Sequence, residues 1–332
     1  MKNHILILII STLIFSSCMN EPVMEPNTRE GNFNALWKII DTKYCFLVEK
    51  NVDWNAIKIA YKAQLDIDTT EMGFFDLMGR MLAELKDGHV NLYSDFDRTH
   101  YWKWYTDYPS NFSSKIIYGP TYLGENYRSI GGMQYARIHN DSIGYIYYGS
   151  FSDSFTSANM SNILNYFKDC TGLIIDVRNN GGGSIDYSKQ MASYFFTKET
   201  VTGYIQHKKG PGHTDFANPI EIKTPASTSV RWSKPVAVLS NRLSYSATND
   251  FVNRMKLAPK AVIVGDRTGG GGGFPLSSEL PNGWMVRFSS SPMFDADMQQ
   301  TEGGIEPDYK VEMDTTDKVF DAIVEKAVTL VK

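Results

Sequence analysis

The sequence predicts an α/β protein with a mainly parallel sheet, preceded by a small N-terminal helical bundle. Short, continuous apolar runs carry that reading: LIIDV from Leu173, PVAVL from Pro235 and AVIVG from Ala261. Helix-spaced segments separate them, and turns bearing glycine or serine follow the strands. Runs of this length read as strands buried on both faces. Strands that alternate with helices need crossover connections, and so a parallel sheet covered on both sides.

Taken in order, the chain begins with Lys2, an apolar stretch Ile5–Phe15 and then Ser16-Ser17-Cys18. A positive end, a short apolar core and small residues before a cut make a signal peptide. The cysteine makes residues 1–18 read as a bacterial lipoprotein signal, cleaved before Cys18 with lipid on its sulfur. Phe15 stands where leucine is usual, so ordinary secretion is the alternative. The apolar run falls short of the ~20 residues that span a bilayer. Residues 19–31, rich in Pro, Glu and Asn, read as a tether to the membrane.

Residues 32–88 read as three short helices. Phe33, Leu36, Ile39 and Ile40 recur at helical spacing, as do Trp54, Ile57, Ala60, Tyr61 and Leu65. Thr69-Thr70-Glu71 then precedes an apolar-periodic stretch, Phe74–Leu85. Lys86-Asp87-Gly88 ends that helix and delivers His89 into an extended segment. Asn91–Ile138 is mixed, with β-like stretches at Lys115–Tyr118 and Gln134–Ile138. The regular part starts at Ser142: strand IGYIYY, helix Ala158–Phe167, strand LIIDV, helix Ile185–Phe196 and strand VTGYIQHKK. PVAVL follows with its helix, then AVIVG, a β-rich tail WMVRFSSSP, and a final amphipathic helix over Asp317–Lys332.

Composition excludes some functions. A net charge of −4 with a pI near 5.9 gives no basic stripe for nucleic acid. Cys45 and Cys170 carry no spacing for a metal or a catalytic thiol and read as buried free thiols, one disulfide being the alternative. No HExxH or clustered His/Cys spacing points to a metal, and no cofactor is implied. The aromatic cluster Tyr101–Tyr108 reads by default as packing under a loop, and alternatively as a substrate surface.

One serine stands where a nucleophile would. Ser246 lies seven residues beyond Leu239 and opens the helical segment ATNDFVNRMK. Unpaired N–H groups and the positive dipole end at a helix N-terminus favour a developing oxyanion. The alternative is that Ser244 or Ser246 is a plain helix cap. Gly181–Gly183 ends the strand LIIDV in the same way. A P-loop does not fit there, because no Lys-Ser/Thr follows, and an oxyanion hole is the better use. Gly269–Gly273 reads as a loop. Asp176, Arg178 and Asn179 shape the turn before the glycines.

Five segments taken together, DVRNNGGG, SNRLSYSATNDF, VGDRTGGGGG, GGIEPDYKV and upstream LKDGHV, resemble the carboxy-terminal processing peptidases in order and spacing. That family includes the tricorn core and interphotoreceptor retinoid-binding repeats, and the resemblance runs from about Asn32 to the C-terminus. It implies a crotonase-like core of ββα units over residues 89–332, behind the helical subdomain 32–88. It makes Ser246 the nucleophile and His89 the general base and acid. Oxyanion donors would be Gly182 or Gly183 and Ala247. Some members use Ser–Lys, but no lysine lies between Thr268 and Lys310, so the tricorn-like Ser–His branch fits. That branch adds a serine just before the histidine and a glutamate. Gly88 holds the serine's place, while Glu302, or alternatively Glu306, would be the glutamate. The stretch from His89 to Ile143 is too short for a PDZ domain.

The expectation is an exported, membrane-tethered serine peptidase acting on peptides or proteins, facing the periplasm or cell exterior. The main alternative is a non-catalytic peptide- or ligand-binding lipoprotein on the same fold. Acyl-thioester chemistry is a third and poorer reading, since an exported protein rarely meets coenzyme A.

Overall fold

A computed structural model describes residues 25–332. The signal segment, Cys18 and residues 19–24 of the tether lie outside the described residues.

Three helices come first: α1 (Arg29–Lys43), α2 (Trp54–Lys62) and α3 (Glu71–Ala83). Each starts on a side-chain cap, from Thr28, Asp53 and Thr70 respectively, which satisfies an orphan N–H of the first turn. Their apolar faces do not form a closed bundle. Phe33, Leu36, Phe75 and Met78 share one core with Trp284, Val286 and Phe288 of a later hairpin, so the helical region is completed by the C-terminal half.

After β1 (Asn91–Tyr93) come two single-turn helices, α4 (Lys103–Thr106) and α5 (Ser114–Ile117). The β-like stretch expected at Lys115–Tyr118 is thus helical. Ile116 and Ile117 are both buried, so the two apolar residues serve one turn packed on a core rather than a pleated face.

The main sheet has seven strands in the order β12-β9-β8-β5-β4-β3-β2. These are β2 (Arg128–Ile130), β3 (Met133–Ile138), β4 (Ile143–Tyr148), β5 (Gly172–Asp176), β8 (Val236–Ser240), β9 (Ala261–Gly265) and β12 (Tyr309–Lys310). From β4 through β12 every neighbouring pair is parallel, and β2 and β3 add antiparallel strands at one edge. All five residues of β5 and of β8 are buried, as their unbroken apolar runs require. Helices α6 (Ser157–Tyr166), α7 (Ile185–Ser193) and α8 (Ala247–Met255) contribute to the core on one face. On the other lies α9 (Ala322–Val331) with Ile116–Leu123. The last helix is shorter than expected: Asp317 accepts backbone N–H bonds from Val319 and Phe320 in a turn, and Asp321 caps Ile323 and Val324.

A second sheet joins β6 (Thr200–Ile205), β7 (Ile220–Thr224), β10 (Gly273–Glu279) and the long β11 (Met285–Phe294) with β1. Its register sets Arg287 of β11 opposite Asn91 and Ser277. This sheet bridges the helical region and the parallel sheet, and the site lies where they meet. Cys45 and Cys170 are both buried and unpaired.

Candidate active site

Strands β5 and β8 are adjacent and parallel, so the loops after them emerge side by side at the carboxyl edge of the sheet, where crevices of α/β sheets form. One loop carries Gly181–Gly183 and the other carries Ser246.

Ser246 occupies the cap position of α8 but makes no capping bond; its backbone is at φ 59° and ψ −119°, sterically costly for a residue with a Cβ. Four bonds hold it there. Its N–H donates to the Gly270 carbonyl at 2.9 Å, Tyr245 N–H to Asn180 at 3.1 Å, Gly269 N–H to Ser244 at 2.9 Å, and the Ser244 hydroxyl to Val177 at 2.9 Å. Ser244 therefore builds the turn. Ser246 is left to aim outward, and its Oγ lies 3.0 Å from Nε2 of His89.

The glycine loop packs against this elbow. A Cβ on Gly182 would lie 2.8 Å from the Ser246 Cβ, and one on Gly183 would lie 2.3 Å from backbone atoms of Phe151 and Ser152. Gly183 also has φ +140°, so glycine is required there twice over. The N–H of Gly182 donates to Asn180 Oδ1 at 3.0 Å and is thereby occupied. The N–H groups of Gly183 and Ala247 have no backbone or side-chain acceptor among the described residues.

Behind His89 lies a buried charged cluster whose components are distant in sequence. Asp87 accepts the His89 backbone N–H at 2.7 Å, the Tyr44 hydroxyl at 3.0 Å and the Ser289 hydroxyl at 2.8 Å. Lys50, from the turn between α1 and α2, donates to Glu302 at 2.7 Å and stands 3.8 Å from Asp87. Burial pushes Glu302 up to about 8, with the charge of Asp87 adding to the effect and Lys50 opposing it. Burial also works against ionised Asp87, but Lys50, His89 and its hydrogen bonds outweigh it and hold the carboxyl low. One lysine thus serves two buried carboxyl groups, bonding Glu302 directly and standing farther from Asp87, and Glu302 is the one whose carboxyl is raised. Glu306, the alternative, is on the surface beside Arg267.

His89 itself is 3% exposed, and burial lowers it to about 4; Asp87 opposes this, while Arg287 and Lys50 add to it. The ring is therefore neutral at ordinary pH and can accept a proton at Nε2. Its Nδ1 has no partner of hydrogen-bond geometry, although the backbone of Gly273 favours the protonated ring. Glu302 reaches Lys50 rather than the imidazole. The glycine at 88 has a direct cause: a Cβ there would lie 2.6 Å from Trp104 Nε1 and 2.9 Å from the Tyr245 hydroxyl. Two aromatic side chains fill the space that a serine would need.

Among the described residues, two cavities open on Ser246. The larger, about 350 Å³, is walled by Tyr101, Trp102, Trp104 and Tyr105 and also reaches His89 and Gly183. The aromatic cluster expected to pack under a loop thus borders Ser246, and Trp104 stacks on Tyr245 at 4.2 Å between centroids. The smaller, about 180 Å³, runs past Ala247, Phe274 and Met293. Arg287 lines both. His100 lines the larger cavity, stacked on Trp102. Asp176 and Arg178 are wholly buried and pair with each other, and Arg178 also pairs with Asp321, so they brace the turn. Among the described residues no three His, Cys, Asp or Glu side chains are grouped to hold a metal.

This arrangement can be set beside known proteins. The model of Peptidase family S41 matches residues 142–311, just over half of the chain. The chain belongs to peptidase family S41. A second model, the tricorn protease C1 domain, matches residues 25–83, the helical region. His89 lies between the two S41 and C1 matches. A crystal structure of a candidate peptidase from Parabacteroides merdae superposes with a TM-score of 0.87 at 50% identity, covering 92% of this chain and 96% of that one. The "Probable CtpA-like serine protease" of Staphylococcus haemolyticus is 29% identical over 173 residues, which is 52% of this chain and 34% of that protein. The carboxy-terminal processing protease CtpA of Bacillus subtilis is 24% identical over 182 residues, 54% and 37% of the two chains. The chain thus spans about a third of the length of the curated relatives it matches. The family read from the five segments is the family found, and its α/β fold is the one observed.

Within the S41 frame, Lys50, Asp87, Tyr245 and Arg287 are the residues that sequence reasoning missed. Asp87 and Tyr245 were within reach, since they flank His89 and Ser246 inside the quoted segments. Lys50 and Arg287 carry no local signal.

Proposed function

We propose that this S41 chain is an exported, lipid-anchored serine peptidase that hydrolyses peptide bonds through an acyl-enzyme. The observation that carries the chemistry is the 3.0 Å approach of a strained, non-capping Ser246 Oγ to a buried, neutral His89 Nε2. A serine hydroxyl needs such a base at neutral pH. His89 takes the Oγ proton as Oγ bonds to the peptide carbonyl carbon. The carbonyl oxygen becomes an oxyanion facing the N–H groups of Gly183 and Ala247. When the C–N bond breaks, the imidazolium returns the proton to the leaving amine. Water then enters by the same route and frees Ser246. In this reading Glu302 and Lys50 act at a distance: they fix Asp87, and Asp87 fixes the backbone that carries the imidazole.

The missing partner at His89 Nδ1 keeps a second reading, a peptide-binding lipoprotein without catalysis. A p-nitrophenyl ester separates the two. The peptidase reading expects a burst of nitrophenol equal to the enzyme present, with the acyl mass mapped to Ser246 and absent from Ser246→Ala. Peptide binding without a burst would favour the second reading. The anchor has its own test: a palmitate analogue should label the membrane fraction of cells making this chain, and Cys18→Ala should abolish that label.

A further inference from the structure

Arginines with little exposure in this protein are matched to partners. Arg178 pairs with Asp176 and Asp321, Arg254 with Asp250, and Arg242 lies 3.5 Å from Asp266. Arg287 differs. It is half-buried, and among the described residues its guanidinium has no ion pair and no side-chain hydrogen bond. Arg98, on the rim of the same cavity, has a 3.5 Å contact to His100 and lies over the Tyr93 ring, but makes no ion pair among the described residues. The two carboxylates nearest the site, Asp87 and Glu302, are committed to Lys50 behind His89.

A half-buried guanidinium without an anion is costly, and here it lies where its charge opposes the imidazolium that His89 must become. An anion arriving with the substrate would remove both penalties. Guanidinium is shaped for a carboxylate, which it can bind through two parallel N–H bonds. The rest of the cavity is aromatic, so the group carrying that carboxylate has flat apolar surface to lie on.

We propose that Arg287 forms a carboxylate-binding subsite, with Arg98 at its rim, that seats an acidic group of the substrate beside Ser246. The subsite rests on the peptidase reading for its purpose but not for its detection. The carboxylate comes either from the C-terminus of a peptide or from an Asp or Glu side chain, and both sources present the same chemistry.

Binding is measured by calorimetry on the Ser246→Ala chain, which requires no turnover. The probes are N-acetyl-Ala-Ala-Phe as free acid and as amide, and N-acetyl-Ala-Glu-Phe-amide against its Gln counterpart. An acid should bind about tenfold more tightly than its neutral twin. Arg287→Met should abolish that preference and Arg287→Lys retain part of it, with unfolding midpoints confirming that both variants fold. A preference for the free acid identifies the C-terminus as the source; a preference for Glu identifies the side chain. Equal binding of acid and neutral forms, a preference that survives Arg287→Met, or no binding of any acid at millimolar concentration overturns the proposal. Ester-burst kinetics of the chain with Ser246 intact test the peptidase reading separately, so the two can fail independently.

Discussion

Ser246 holds a strained backbone at the candidate site, and that has a measurable consequence. Glycine adopts φ 59°, ψ −119° freely, so Ser246→Gly should raise unfolding stability by about 1 kcal/mol while abolishing any activity. Chemical denaturation of the two chains reads the difference; a destabilised glycine variant would mean that the elbow is unstrained. His89 gives a second prediction. Only the neutral ring accepts a proton, and with the group near 4 the ring stays neutral down to about pH 5. The acid limb of kcat/KM, which reports the free enzyme, should therefore fall near pH 4 rather than near the ordinary histidine value. Lys50 gives a third. Lys50→Met leaves two buried carboxylates without a cation and should cost about 3 kcal/mol or more. Glu302→Gln added to it should restore part of the loss, and a double-mutant cycle checks this. How much of the site the sequence discloses follows from the same residues. Ser246 and Gly183 are legible because a strand, a turn and a helix are local patterns. Lys50 meets Glu302 across 252 residues of chain, and no local pattern records such a meeting.

At the scale of elements, strand and helix order after Ser142 follows closely from the apolar periodicity. Strands β4, β5 and β8 are short and almost wholly buried, whereas β7 and β10 are largely exposed and carry no such apolar run. The errors fall where length misleads. Two adjacent isoleucines suit a strand or one helical turn equally well, and at Ile116-Ile117 packing on the core decides for helix. In the last helix Asp317 and Asp321 both precede apolar residues, but only Asp321 is buried and paired with Arg178, so the helix begins there. That pairing makes Asp321 both a cap and a buried counter-ion. Asp321→Ala leaves Arg178 short of one partner and α9 without its cap, with an expected loss of about 3–5 kcal/mol. Urea unfolding measures it, and a loss below 1 kcal/mol would show that Asp176 alone suffices. The turn between α1 and α2 matters for another reason: it delivers Lys50. The N-terminal helices are part of the site's support.

At the scale of the whole molecule, the site forms where three separate parts meet: the parallel sheet brings Ser246 and the glycine loop, the segment before β1 brings His89, and the second sheet brings Arg287. Stability should depend on pH through the same junction. Glu302 is raised in the fold from its ordinary 4.5 to about 8, so the folded state holds an extra proton between those values. Its contribution is present at low pH and is lost as pH rises toward 8. His89 acts in the opposite sense: its lowered value makes the folded state hold fewer protons between 6.5 and 4, and its contribution is lost as pH falls through that window. Glu302→Gln should flatten the decline on the alkaline side, as thermal unfolding across pH would show. The account as a whole rests on an activated Ser246. Fluorophosphonate labelling of the purified protein, with peptide mapping and Ser246→Ala and His89→Ala controls, tests it most directly. The account predicts adduct on Ser246 alone, lost in both variants; a folded wild-type chain that takes no label, or takes it equally without His89, would contradict it.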